Sequence, residues 1–198
     1  MAERFSLLVP GASSDDGVLE VFAPFDRGLI AEVVAADAAA LEQALSTAAA
    51  LYADRENWLS KPQRMEVLKR AAEIVTERAE MLALESAREG GKPLIDSRAE
   101  VARAIDGIYN CIEVLRTEAG REIPMGLNAA SMNRLALTRK EPIGVVAAVS
   151  AFNHPINLIV HQVFPAVAVG CPVIVKPAGD TPLSCMRLVQ ILHEAGLP

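Results

Sequence analysis

The sequence predicts an α/β protein: the start of a doubly wound parallel sheet, preceded by a helical segment and a projecting β-hairpin arm, and incomplete over the residues given. Three observations lead there. Two short runs, Ile143–Val149 and Pro172–Val175, are apolar throughout and are joined by a helical stretch that opens at Pro155. Short, wholly apolar runs joined by a helix are the pattern of parallel strands buried on both faces. Polar residues gather where each run stops, at Ser150–His154 and at Lys176–Gly179. Ligands of open parallel sheets bind beyond the carboxyl ends of the strands, so Asn153 and Lys176 are expected on one rim. Finally, two parallel strands leave open edges and an uncovered apolar face. Further strands are therefore expected after Pro198, from a longer chain or from a partner chain.

The composition agrees with a helix-rich α/β core. Of 198 residues, 52% are apolar and 4% aromatic, and the net charge is −6. No basic cluster interleaved with aromatics is present, which argues against a nucleic-acid partner. The N-terminus MAERFSLLVPG has neither a long apolar region nor a small-residue cleavage pattern, so it does not read as a signal peptide. No run reaches the roughly 18 apolar residues of a membrane span. Three widely spaced cysteines fit neither a disulfide framework nor a zinc site. A cytoplasmic location is the default expectation.

In chain order, residues 1–35 read as short strands and turns. Asp26-Arg27-Gly28 is turn chemistry between two β-prone arms, so a hairpin and an irregular arm are both open there. Asp37 is placed to cap a helix with Leu41, Leu45, Ala48 and Tyr52 on its inner face. Ser60-Lys-Pro-Gln63 is a capping box with proline in the first turn. It opens one helix with Met65, Leu68, Ala72, Val75, Ala79 and Leu82 inward. Gly90-Gly91-Lys92-Pro93 stops it. Ser97-Arg-Ala-Glu100 reads as a second capping box, opening a helix with Val101, Ala104, Ile108, Ile112 and Leu115 inward and ended by Gly120. The charges on the other faces (Arg70, Glu73, Arg98, Arg103) read as solvated surface. Residues 121–141 change character, with a polar middle and alternating Leu135 and Leu137. They predict a projecting hairpin whose unpaired edges suit pairing with another subunit. Pro165 is expected to split the next helix into Pro155 to about His161 and Pro165 to Gly170. Thr181-Pro182 opens the last helix, with Leu183, Met186, Val189 and Leu192 inward.

The chemistry concentrates at the ends of the two apolar runs. The Asn153 amide can donate to a developing oxyanion. Asparagine also caps helices well, and spacing alone favours the cap. Lys176 can hydrogen-bond a ribose hydroxyl or a phosphate, or be a surface lysine at a strand end. Gly179 and the Pro177 turn let a ligand approach the backbone. No G-x-G-x-x-G follows either run, so a pyrophosphate loop is absent here. Of the histidines only His154, beside Asn153, is placed to matter. Cys111, Cys171 and Cys185 have no activating neighbour and read as packing residues.

The stretch EPIGVVAAVSAFNHPINLIVHQVFPAVAVGCPVIVKPAGDTPLS resembles the core signature of the aldehyde dehydrogenase superfamily. VFAPFDRGLIAEVV is similar to that family's N-terminal turn segment, and HEAGLP to a helix end that follows. The resemblance implies an enzyme that oxidises aldehydes with NAD or NADP through a cysteine thiohemiacetal and thioester. It assigns Asn153 to the oxyanion hole and Lys176 to the adenine ribose. Val149, Ser150, Ala151 and Phe152, with Ala178 and Gly179, are assigned to the cofactor's adenosine side. Residues 1–120 then form an N-terminal arm and helices packing on the cofactor-binding domain. Residues 121–141 form an oligomerisation arm for a homodimer or tetramer, and 142–198 the first half of a Rossmann-like domain. The nucleophile, the general-base glutamate and the phosphate loop lie downstream in the family, so this chain alone is expected to be inactive. Two departures bear on specificity. His154 stands where the family commonly has phenylalanine, which points to a small polar or anionic aldehyde. Gly179 stands where NAD-preferring members often carry glutamate, which leaves NADP open. A truncated, non-catalytic interaction or nucleotide-binding module is the competing expectation.

Overall fold

The computed structural model describes residues 2–14 and 17–198. Three short strands come first: β1 (Glu3–Phe5), β2 (Val18–Phe22) and β3 (Leu29–Val34). Of the two possibilities left open there, β2 and β3 form the hairpin, antiparallel, while β1 joins β3 in parallel on its other side. Arg27 takes the left-handed conformation the turn demands, with φ of 60°. The Asp26 carboxylate accepts from Gly28 N at 2.9 Å and closes the turn. The parallel pairing of β1 is a long-range contact that three residues of sequence do not announce.

Helices α1 (Ala38–Ala53), α2 (Lys61–Glu77), α3 (Ala79–Gly90) and α4 (Leu94–Thr117) follow. Asp37 caps α1 as expected, accepting from Ala40 N at 2.7 Å. Its buried face is Ala40, Ala44 and Ala48, however, and Leu41 and Leu45 stay exposed. The small residues let the helix approach closely, and the leucines on the neighbouring face are left open. Ser60 and Gln63 form the full capping box of α2. The single helix expected beyond it is two, because Arg78 leaves helical geometry (φ −101°, ψ 13°). Its guanidinium forks onto Glu194 at 2.7 and 2.8 Å. The second capping box does not form. α4 begins four residues earlier, behind Pro93, and Ser97 and Glu100 are buried inside it. Arg70, Arg98 and Arg103 are exposed, as expected of helix surface, and Glu73 is half-buried.

The 121–141 region carries a minimal hairpin, β4 (Glu122–Ile123) against β5 (Ala136–Leu137), antiparallel. Leu127, Met132, Leu135 and Leu137 on it are exposed. Strand β6 (Val146–Val149), helix α5 (Pro155–Val169), strand β7 (Val173–Lys176) and helix α6 (Pro182–Glu194) complete the chain. β6 and β7 are parallel, as expected. They are not buried on both faces: Ala148 is covered, whereas Ala147 and Val149 are exposed. Pro165 does not split α5. Its ring and His161, whose carbonyl it deprives of a partner, both lie on the exposed side, where a carbonyl without an intrahelical partner costs little. Gly170, with φ of 90°, caps the helix end.

The main core lies among α2, α3, α4, α5 and α6, with Leu68, Ile74, Ile108, Ile156, Phe164 and Leu188 excluded from solvent. A second cluster joins Phe5, Val21, Ala31 and Val33 of the first sheet to Leu183 and Met186 of α6. Arg187 fastens this junction. It bonds Glu3 of β1 at 2.9 Å and Glu85 of α3 at 3.0 Å, and its guanidinium lies 4.6 Å over the Phe5 ring. Among the described residues no helix is long and apolar enough to cross a membrane.

Candidate functional site

The parallel register sets the rim. Val149 stands opposite Lys176, and Ser150 N donates to the Lys176 carbonyl at 3.0 Å. The loop carrying Ser150–His154 therefore leaves the sheet beside the loop carrying Lys176–Gly179. Thr181 Oγ1 joins the two by donating to the Phe152 carbonyl at 3.3 Å. Val149, Phe152 and Asn153 are exposed, Ala151 is half-buried and Ser150 is buried. Lys176 and Gly179 are exposed and Ala178 is buried. A side chain added at Gly179 would meet nothing within 4 Å. Phe152, Gly179, Asp180 and Thr181 also line a cleft of about 340 Å³ closed by β2, Arg27 and Glu89.

Asn153 does not cap α5. The cap position is His154, which makes no side-chain capping bond. The first turn is satisfied from another element: Glu100 of α4, only 1% exposed, accepts from Ile156 N at 2.8 Å and Asn157 N at 2.9 Å. Its second oxygen pairs with Lys92 and lies 3.6 Å from His154 Nδ1. His154 Nδ1 is covered and unbonded, yet the side chain is 43% exposed. The exposure therefore belongs to the rest of the ring. α6 repeats the device. Thr181 makes no side-chain capping bond, and Glu89 of α3 accepts from Leu183 N at 2.8 Å, Ser184 N at 2.9 Å and Ser184 Oγ. Burial pushes the Glu89 carboxyl up to about 7 against the pull of those bonds.

From the sequence, Glu100 is assigned only to a capping box and Glu89 has no role, although a signal for both is present. Glu100 stands in strict steps of four with Ala104, Ile108 and Ile112, and Glu89 extends the Leu82–Ser86 face. An acid on an apolar stripe needs a buried partner. Here the partners are the helix N-termini that, in other α/β proteins, seat a phosphate.

Burial pushes the Cys111 thiol up, and the Cys185 thiol up to about 12, with the Glu89 charge adding to the latter. Cys171 is buried. Among the described residues no group of three or more His, Cys, Asp or Glu is placed to hold a metal ion. For a dinucleotide, the rim fits the ribose side. Lys176 has no carboxylate partner among the described residues, and Gly179 faces open space. The α5 and α6 N-termini, filled by Glu100 and Glu89, offer no seat for its phosphates.

Comparison with known proteins follows this geometry. Residues 11–198 match the model of the aldehyde dehydrogenase family. The 3-sulfolactaldehyde dehydrogenase of Priestia aryabhattai is 41% identical over 143 residues, 72% of this chain and 30% of that protein. Among solved structures, aldehyde dehydrogenase 21 of Physcomitrella patens, in complex with the reaction product succinate, superposes with a TM-score of 0.93. It is 32% identical, over 100% of this chain and 42% of that one. Glyceraldehyde-3-phosphate dehydrogenase of Methanocaldococcus jannaschii, complexed with NADP, gives 0.82 at 30% identity, over 89% and 37%. The chain thus spans about a third of the length of the curated relatives it matches. On this match, and with its rim built in the matched segment, the chain belongs to the aldehyde dehydrogenase family.

Proposed function

We propose that this chain is the N-terminal part of an NAD(P)-dependent enzyme that oxidises an aldehyde to a carboxylic acid, and that it supplies the oxyanion donor and the ribose-binding lysine. The observation that carries the reading is the register of β6 on β7, which sets the Asn153 loop and Lys176 on one rim. The Asn153 amide is exposed and bonded to no protein group among the described residues, so its N–H is free for an oxyanion developing on the carbonyl. Lys176 donates to ribose hydroxyls, between the backbone of Val149–Phe152 and that of Ala178–Gly179. A nicotinamide cofactor, when bound, supplies the hydride acceptor.

The nucleophile is a cysteine outside these residues: burial pushes the Cys111 and Cys185 thiols up, away from the attacking thiolate, and Cys171 is buried. The chain by itself therefore turns over no aldehyde. Without a carboxylate at 179, both NAD and NADP are accepted. The aldehyde carries a polar or anionic group, for which the exposed edge of His154 is a partner. The sulfonated substrate named for one relative and the succinate bound to another are of that kind. The exposed leucines of the 121–141 arm serve assembly into a homo-oligomer.

In the parent enzyme, Asn153→Ala lowers kcat roughly 10²–10³-fold and leaves the thermal transition in place. A kcat within about threefold of the original, less than 1 kcal/mol of transition-state stabilisation, overturns the assignment.

A further inference from the structure

We propose that Glu100 is a positioning residue for Asn153, holding the oxyanion donor in place from the neighbouring helical layer. The inference rests on the reading of Asn153 as that donor. An exposed amide that no protein group bonds is held only by its backbone. What fixes residues 152–157 therefore fixes the donor. On one side, Phe152 is tied through its carbonyl to Thr181. On the other, Glu100 takes the N–H groups of Ile156 and Asn157 on one oxygen. Its other oxygen is held by Lys92 and abuts His154 at 3.6 Å. The carboxylate thus touches the chain on both sides of Pro155, whose ring already fixes φ. Little slack remains between Glu100 and Asn153.

The arrangement also explains why a buried charge serves here at all. An ordinary cap would come from the residue at the cap position or next to it, here His154 or Asn153. Delegating the cap to α4 leaves the Asn153 amide exposed and unspent on the helix. Glu89 does the same work for α6, which follows the Gly179–Thr181 loop on the ribose side. The molecule therefore holds a comparison within itself: two buried glutamates, each taking the first N–H groups of a helix, one paired with Lys92 and one with the Ser184 hydroxyl, serving two arms of one site.

The test uses the parent enzyme with an aldehyde and NAD(P). Glu100→Gln keeps the shape and one acceptor oxygen but loses the charge that holds Lys92. Its kcat falls about 10- to 100-fold, the scale of a misplaced reacting group, with the cofactor KM unchanged. In an Asn153→Ala background the same substitution costs less than about twofold, because the two act through one group. Glu89→Gln raises the cofactor KM and leaves kcat near the original. The proposal is overturned if Glu100→Gln keeps its kcat, if its loss adds fully to that of Asn153→Ala, or if the two glutamate variants share one kinetic pattern. Should Glu100→Gln lose its cooperative thermal transition, Lys92→Met carries the test. A lower kcat at constant cofactor KM supports the proposal and an unchanged kcat overturns it. An unchanged kcat in Asn153→Ala alone would instead sink the oxyanion reading, and the two failures are thereby told apart.

Discussion

The helical layer closes on itself, while the strand pair it supports does not. α2 to α6 exclude Leu68, Ile74, Ile108, Ile156 and Phe164 from water entirely. A few residues away, Ile143 is 87% exposed and Val149 62%, though both belong to a run as apolar as any in the helices. A helix buries one stripe, and the layer finds a neighbour for each stripe within this chain. A strand in a parallel sheet has two faces and two edges to cover. β6 and β7 have each other along one edge, α5 against both and α1 against β7. The difference teaches that the sequences of α2 to α6 are satisfied by one another, whereas β6 and the run leading into it keep apolar residues uncovered among the described residues.

The comparison can be broken or sharpened by substitution. The largest expected effect lies in the closed layer. Phe164→Ala removes a fully buried ring and costs about 3–5 kcal/mol, read from denaturant unfolding. A loss below about 1 kcal/mol would mean that the layer is not close-packed. Glu89 gives the next effect, and it depends on pH. A carboxyl raised from 4.5 to about 7 keeps its proton in the folded state where the unfolded chain has lost it. Stability therefore falls as pH rises through that window and is level below it. Glu89→Gln, uncharged throughout, flattens the slope, so its melting temperature gains on the parent's between pH 5 and 8. Parallel curves would place the titration elsewhere.

At the rim, Gly179→Glu has room for its side chain and brings a charge that accepts from ribose hydroxyls and repels a 2′-phosphate. It raises KM for NADP about tenfold, near 1.4 kcal/mol, and spares NAD. Equal changes for both cofactors would remove Gly179 from the ribose site. The smallest effect belongs to the open face. Ile143→Ser changes the stability of the 198-residue chain by no more than about 0.5 kcal/mol. In a protein where that face is covered, the cost rises toward that of a buried isoleucine.

Much of this was readable in the sequence, for physical reasons that differ by element. The caps at Asp37 and Ser60 and the β6–α5–β7 order are local chemistry and are legible directly; the turn residues Asp26-Arg27-Gly28 leave a hairpin and an irregular arm open, and the pairing of β2 with β3 decides it. Pro165 misled because a proline is judged by what its missing N–H leaves unpaired, which depends on which side faces water. Ser97 misled because a capping motif competes with burial, and the apolar stripe of α4 won. Asn153 was the sharpest case. Its residue type suits a cap, and only the discovery of Glu100 at the α5 N-terminus shows that the cap is already filled. Leu41 and Leu45 kept a helical period but not the buried face, since periodicity gives a stripe without saying what will lie on it.

The Arg187 clamp has a consequence for how the molecule is made. Its guanidinium joins Glu3 and covers Phe5 across 184 residues of sequence. Synthesis proceeds at about 5–20 residues per second, so some ten to forty seconds separate the emergence of the two partners. Through that interval β1 has no lid. Within these residues β1 is translated early and covered only much later, and the nascent chain must hold Phe5 in reserve until α6 arrives.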